Sequence, residues 1–293
     1  MAKRPLPLTR ARRAHAERTG GITYYGRPLA YPAAPAVRYE RLLDRAIKVM
    51  TTEAEKQVRG LWRDYGTVGL DGETFAMDAS FASQARILTN AMAKRFQAFF
   101  DKLAPGLARG LVRQVDRASK SSLHSSLKEV SGGLSLKTSV IDGRIKELTK
   151  ASVVENVGLI KSIPQQYFQK LQGDVMRSIQ TDQGAATIMQ AVEATGAVTK
   201  RRAKLIAVDQ TRKLTTSLNS ARMQNLGVKK FEWSHSQGGN EPRPLHKDTL
   251  NGQIFELANP PVIDDKTGEK GLPGQLINCR CTMIPVIDFG SNQ

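Results

Sequence analysis

The stretch Leu214-Thr-Thr-Ser-Leu218-Asn-Ser-Ala221-Arg222-Met-Gln-Asn-Leu226-Gly227-Val228-Lys-Lys-Phe231-Glu-Trp233 changes period once, and that change decides the fold. Up to Leu226 the apolar residues recur at three-to-four spacing, the signature of an amphipathic helix. Gly227 stands where a helix ends on a left-handed residue. Beyond it Phe231 and Trp233 alternate with Lys230 and Glu232, as in a strand with one aromatic face. A long helical stretch therefore hands over to a small sheet. The class is α+β: a predominantly α-helical N-terminal part with a small antiparallel β-containing C-terminal module.

Working upstream, Thr199 reads as the cap of a helix over 200–226. Ala203, Ala207, Gln210, Leu214, Leu218 and Ala221 fall within a sector of about 80° on its surface. Arg201 and Arg212 lie opposite; Arg202, Lys204, Lys213 and Arg222 flank the stripe. A shorter helix is predicted over 185–194, ended by Gly196. Ser162-Ile-Pro-Gln165 reads as a helix start, with Ser162 as cap and Pro164 in the first turn. Earlier helices are predicted over 38–64, 73–103, 107–130 and 136–157. Gly66–Gly72, Pro105-Gly106 and Gly132-Gly133 are read as the breaks between them.

Working downstream, Pro244–Leu250 reads as a helical turn. Asn251-Gly252 is a tight-turn signal leading into a strand at 253–257, and 282–287 is a last strand. Such a sheet buries Phe231, Trp233, Ile254, Phe255, Ile284 and Val286. Residues 1–36 hold seven Lys/Arg and five Pro, too Pro-rich for a helix. They read as an extended basic arm whose Tyr24, Tyr25 and Tyr31 would dock on a partner. The expected organisation is an arm at 1–36, a helical domain at 37–155, and a C-terminal domain at 156–293 with helices to about 226 and a small sheet with loops over 228–288.

The formal charge of +17 is unevenly placed. Residues 1–50 carry 11 Lys/Arg against three acids, and residues 200–230 carry nine against Asp209 alone. Each segment nets +8, so nearly the whole excess sits in two places. Such concentration attracts polyanions, nucleic acid first among them. The candidate phosphate-contacting residues are Arg10, Arg12, Arg13, Arg201, Arg202, Lys204, Arg212, Lys213 and Arg222. A membrane surface is disfavoured, because no basic helix carries a Trp/Phe-rich opposite face. No apolar run approaches the ~20 residues of a span. The N-terminus has no signal-peptide core, and two cysteines do not staple a fold of this size, so a cytoplasm-like compartment is expected.

The stretch from Asn156 to Ile287 resembles the phage Mu protein F-like family of minor head proteins, also called phage head morphogenesis proteins. The residues that carry the resemblance come in chain order. They are Asn156-Val-Gly-Leu-Ile160-Lys-Ser-Ile163, Arg202-Ala-Lys-Leu-Ile206-Ala-Val-Asp209-Gln210, Asn219 and Arg222, and Gly227-Val-Lys-Lys-Phe-Glu-Trp233. They continue with Arg243-Pro-Leu-His246, Leu250-Asn-Gly252-Gln-Ile-Phe255, Pro273-Gly274 and Cys279-Arg280-Cys281. The resemblance implies a non-enzymatic component of the tailed-phage virion, present in low copy number. Its implied partners are the portal protein, capsid or scaffold proteins and the double-stranded DNA genome. Its implied setting is the head interior or neck, with assembly in the host cytoplasm and a link to genome packaging and ejection.

Family members with a Cys-x-x-Cys pair at the positions of Arg243 and His246 would form a zinc module with the Cys-Arg-Cys. Here Arg243 cannot ligate. His246, Cys279 and Cys281 remain, with His235 as a fourth candidate. Three readings of the thiols stay open: an apolar pair in a core with no cofactor, a structural zinc site, or a disulfide, which a reducing host disfavours. Catalysis is weighed on two sets. Cys279 or Cys281 with His246 would be nucleophile and base, but no orienting third residue stands at a motif spacing. Asp264, Asp265, Glu256 and Glu269 would suit a metal nuclease, but their loop reads as solvated surface. No Walker-type phosphate loop is present. The alternatives are a sequence-independent DNA-binding protein acting outside the virion, and a Cys/His or metal-dependent processing enzyme.

Overall fold

The computed structural model describes residues 22–66, 80–128, 142–181, 185–236 and 242–289. Arg10, Arg12, Arg13 and the predicted breaks at 67–72 and 132–133 lie outside them. In chain order the elements are β1 (Ile22–Tyr25), α1 (Ala33–Gly66), α2 (Phe81–Leu127), α3 (Gly143–Gln180), α4 (Ala185–Asn225), β2 (Lys230–Ser234), a π-helical turn (Leu245–Thr249), β3 (Ile254–Glu256) and β4 (Thr282–Phe289). No helix among the described residues is long and apolar enough to cross a membrane. The fold is α+β and mostly α.

Three predicted helix boundaries are overrun: the ends at Pro105 and Gly196 and the start at Ser162–Gln165. Pro105 lies inside α2, Pro164 inside α3, and Gly196 inside α4. The reason in each case is a buried stripe that continues through the breaker. Phe100, Ala104, Ala108 and Leu111 are all buried across Pro105; Ile160, Ile163, Tyr167 and Leu171 are buried across Pro164. Burying several large side chains outweighs the roughly 3 kcal/mol that an interior proline costs. Ser162 and Thr199 are not caps. Their hydroxyls donate back to the carbonyls of Leu159 at 2.7 Å and Thr195 at 2.9 Å, as mid-helix Ser and Thr do. Gly196 is a packing glycine: a Cβ there would lie 3.4 Å from Thr51 Cγ2.

The chain divides into two compact units, each built from separated segments. The helical unit takes residues 36–111 and 152–208. Its α1 face repeats Tyr39, Leu43, Ile47, Met50, Ala54 and Val58, all buried. Phe96 of α2 stacks on Phe168 of α3 with centroids 5.8 Å apart. The buried amide of Asn156 in this core is answered on both sides. Tyr39 Oη donates to Asn156 Oδ1 at 3.1 Å, and Asn156 Nδ2 donates to the Ser152 carbonyl at 2.8 Å.

The sheet unit takes residues up to 35, 112–151 and 209–293. Its four strands run in the order β1-β4-β2-β3, antiparallel throughout. Residues 22–25, read above as part of an extended arm, form the edge strand β1 on β4, with Thr23 opposite Asp288. Ile-Thr-Tyr-Tyr suits a strand, but its partner lies at the far end of the chain, where no local signal reveals it. Thr23 Oγ1 donates to Asp288 Oδ1 at 2.9 Å, and Lys230 Nζ of β2 reaches Asp288 Oδ2 at 2.9 Å.

α4 ends as predicted. Gly227 has φ +76, its N–H donates to the Gln224 carbonyl at 3.0 Å, and that of Val228 donates to the Met223 carbonyl at 2.9 Å. This is the Schellman pattern, and Val228 and Met223 join the same apolar core. Phe231, Trp233, Ile284 and Val286 are buried as expected, whereas Ile254 and Phe255 are half-buried.

Candidate functional site

Three polar side chains sit at the centre of the sheet unit's core. His246 is 2% exposed, Cys279 3% and Cys281 6%. His246 is delivered by the π-helical turn, closed by the Leu250 N–H donating to the Leu245 carbonyl at 2.9 Å. The cysteines are delivered by the loop before β4, whose turn at Asn278 adopts φ +61. His246 Nδ1 lies 3.5 Å from Cys279 Sγ and 3.8 Å from Cys281 Sγ. His246 Nε2 lies 2.8 Å from the Ile263 carbonyl. A carbonyl only accepts, so Nε2 carries a proton and donates it. The ring also makes an edge contact with Trp233 at 5.0 Å between centroids.

The surrounding backbone is aimed at the sulfurs. The Gly274 N–H lies 3.4 Å from Cys279 Sγ. Gly274 has φ +87, and a Cβ there would approach Thr216 Oγ1 to 3.1 Å. Thr216 Oγ1 donates to the Pro273 carbonyl at 2.7 Å, and Arg212 Nη1 donates to the Cys279 carbonyl at 3.0 Å. Gly274→Ala is therefore expected to cost about 1–3 kcal/mol, from left-handed strain alone. A shift of the urea midpoint equivalent to less than about 0.5 kcal/mol, the range of neutral surface changes, would show that the loop adapts.

The electrostatics are those of a coupled pair. The hydrogen bond from Cys281 brings Cys279 down to about 4 against burial, with help from His246 and Gly274. The same Cys279 contact, with burial, pushes Cys281 up. His246 is lowered by burial, but Cys279 and the Ile263 carbonyl outweigh this, and its pKa is raised. Thiols this deeply buried are poorly placed to attack a substrate arriving from solvent.

The acidic residues Asp264, Asp265, Glu256 and Glu269 do not gather into a site. Among the described residues, the group competent to hold a metal is His246, Cys279 and Cys281, whose ligand atoms lie within 4.8 Å of one another. His235, weighed as a fourth ligand, is not in that set. Arg243, which cannot ligate, donates from Nη2 to the Ile277 carbonyl at 3.0 Å.

The predicted cationic set separates by burial. In the helical unit Arg201 and Lys204 are exposed, whereas Arg202 is half-buried and donates to Ser162 Oγ at 2.9 Å. In the sheet unit Lys213 pairs with Asp209 at 3.1 Å, and Arg212 lies over the Tyr31 ring at 4.6 Å. Arg222 corrects the expectation outright. It is 1% exposed, with its guanidinium on the Asp116 carboxylate and the Ser119 hydroxyl, so its charge is spent inside the fold. The wheel placed Arg222 on a flank of the helix, where a long side chain still reaches an acid on a neighbouring element.

Sequence reasoning missed Ile263, Gly274, Trp233 and Arg212 as supports of the Cys/His cluster. The Pro273-Gly274 pair was the visible signal for one of them. Comparison with known proteins bears on the same region. An uncharacterized protein of Haemophilus influenzae strain Rd is 32% identical over 251 residues, covering 85% of this chain and 53% of the relative. The chain thus spans about half the length of the curated relative it matches. No solved structure matches the chain. The family profile described as Phage Mu protein F like protein matches residues 169–284. That span holds the whole resembling series after Asn156–Ile163, with all of the Cys/His cluster, and residues 169–284 belong to the phage Mu protein F-like family.

Proposed function

We propose that the chain is a minor head, or head morphogenesis, component of a tailed bacteriophage. In this reading it is a non-enzymatic structural protein bound near the portal inside the head. It aids head assembly and genome packaging or ejection, and its cations contact the packaged DNA without reading sequence. The observation that carries the reading is the family match over residues 169–284. The charge adds support: the two basic segments hold almost all of the +17 excess. In the helical unit Lys200, Arg201 and Lys204 project from α4 into solvent, as phosphate contacts require. The deep burial of the thiols supports a structural over a catalytic use of Cys279 and Cys281.

Fractionation of purified particles tests the structural role. The protein is expected in capsids or their precursors and absent from the free DNA-bound pool. Recovery only outside particles would favour a DNA-binding protein acting elsewhere. The DNA contact has its own test. Affinity for a duplex is expected to fall ~10-fold or more between roughly 50 and 200 mM salt. Arg201→Glu with Lys204→Glu should weaken binding to all sequences alike and reduce the salt slope by about 2. A slope that the double variant leaves unchanged would remove α4 from the interface.

A further inference from the structure

We propose that His246, Cys279 and Cys281 bind a zinc ion, with a solvent oxygen in the fourth position of the tetrahedron. This inference concerns the core of the sheet unit, goes beyond the head-protein reading, and does not depend on where the chain sits in a particle.

Geometry is the first argument. Zinc holds thiolate sulfur at about 2.3 Å and imidazole nitrogen at about 2.0–2.1 Å, which at tetrahedral angles separates N from S by roughly 3.5 Å. The observed N···S separations of 3.5 and 3.8 Å are close to this, and all three ligand atoms lie within 4.8 Å of one another. The second argument is valence. A neutral imidazole with its proton on Nε2 offers one lone pair at Nδ1. Cys279 Sγ and Cys281 Sγ approach that lone pair at nearly equal distance, so three ligand atoms converge on one point. A cation between the three atoms satisfies all of them. Any proton still on either sulfur leaves to solvent as the metal enters, and no other bond changes.

The supporting shell is the third argument. A metal-bound histidine commonly donates its other ring N–H to a carbonyl, and His246 does this to Ile263 at 2.8 Å. Thiolate ligands accept backbone N–H groups, and Gly274 supplies one at 3.4 Å from a conformation that favours glycine. Arg212 holds the Cys279 carbonyl from behind at 3.0 Å. Trp233, Leu250, Ile263, Leu272 and Met283 close the apolar surroundings. The ion would tie the 245–249 turn and the 262–281 loop, two segments with little regular pairing of their own, to the start of the paired strand β4.

The test uses the full chain, purified under reducing conditions and dialysed against metal-free buffer. About one zinc per chain is expected to remain bound. Cobalt(II) added to chelator-stripped protein should give thiolate charge-transfer absorption and intense visible bands of a tetrahedral site. Cys279→Ser with Cys281→Ser should abolish the charge-transfer band, and His246→Ala should alter the visible bands. His235→Ala should leave both spectra unchanged; loss of the bands there would overturn the three-ligand set. The wild-type spectrum decides the matter even where a cysteine variant fails to fold. A folded wild-type chain that keeps no zinc, gives no cobalt spectrum, and yields either two free thiols or a disulfide on unfolding would overturn the proposal. Particle fractionation is unaffected by this result, so the two readings fail separately.

Discussion

Arg222→Ala is expected to destabilise the sheet unit by about 3–5 kcal/mol, as removal of one partner from a buried ion pair does. The guanidinium is 1% exposed and serves two acceptors, the Asp116 carboxylate and the Ser119 hydroxyl. Ser119 in turn donates to Asn219 Oδ1 at 2.6 Å, so the network is chained and one deletion loosens three groups. Lys120 also pairs with Asp116 at 2.7 Å, and the pair keeps 19–25% side-chain exposure. That remaining partner offsets part of the loss and places the expectation at the lower end of the range. Arg222→Lys should recover little, because a single ammonium cannot reproduce the planar fork across both acceptors. Urea unfolding followed by Trp233 fluorescence in a Trp62→Phe background reads this unit directly. A loss below about 1 kcal/mol would assign the pair the weight of an exposed ion pair. A double-mutant cycle with Asp116→Asn separates the two outcomes, since coupling of ~0.5–3 kcal/mol is the mark of contacting groups.

The same residue shows where sequence reading stops. Arg222, Asn219 and Asn156 were visible as members of an ordered series, but nothing in their spacing told an internal tie from a surface contact. Their partners, Tyr39 for Asn156, Ser119 for Asn219 and Asp116 for Arg222, lie 100 to 117 residues away, so no local window contains them. What was legible was local. The period switch at Gly227, the Asn251-Gly252 turn and the aromatic face of β2 are nearest-neighbour signals, and each is present. The overrun boundaries, the ends at Pro105 and Gly196 and the start around Pro164, failed for the opposite reason. Local propensity favoured a stop, and burial gathered from distant helices decided otherwise. The Cys/His cluster sits between these cases. Its three side chains were named from residue type and proximity in sequence, but the Ile263 carbonyl and the Gly274 amide are backbone groups that no sequence displays.

Trp233→Ala is expected to cost about 3–5 kcal/mol, the range for emptying a large aromatic site in a core. Trp233 is fully buried on β2 and is the largest of the fully buried side chains. Its backbone is fixed on both sides: the Trp233 N–H donates to the Gln253 carbonyl at 2.9 Å, and its carbonyl accepts the Gly252 N–H at 2.7 Å. The strand therefore cannot slide to fill the void, so the cavity cost is not relieved by collapse. Trp233→Phe keeps an aromatic face toward His246 and should lose less, roughly 1–3 kcal/mol. The pair of variants also separates packing from shielding. With its indole removed, the ring of His246 loses the edge contact at 5.0 Å, and water gains a path toward Cys279 and Cys281. Thiol labelling of the chelator-stripped protein under native conditions should then accelerate strongly in Trp233→Ala and only slightly in Trp233→Phe. Equal labelling rates in the wild type and Trp233→Ala, with the stability loss present, would show that the indole supports the core without guarding the cluster. Equal rates with no stability loss would place the wall of the cluster elsewhere in the core.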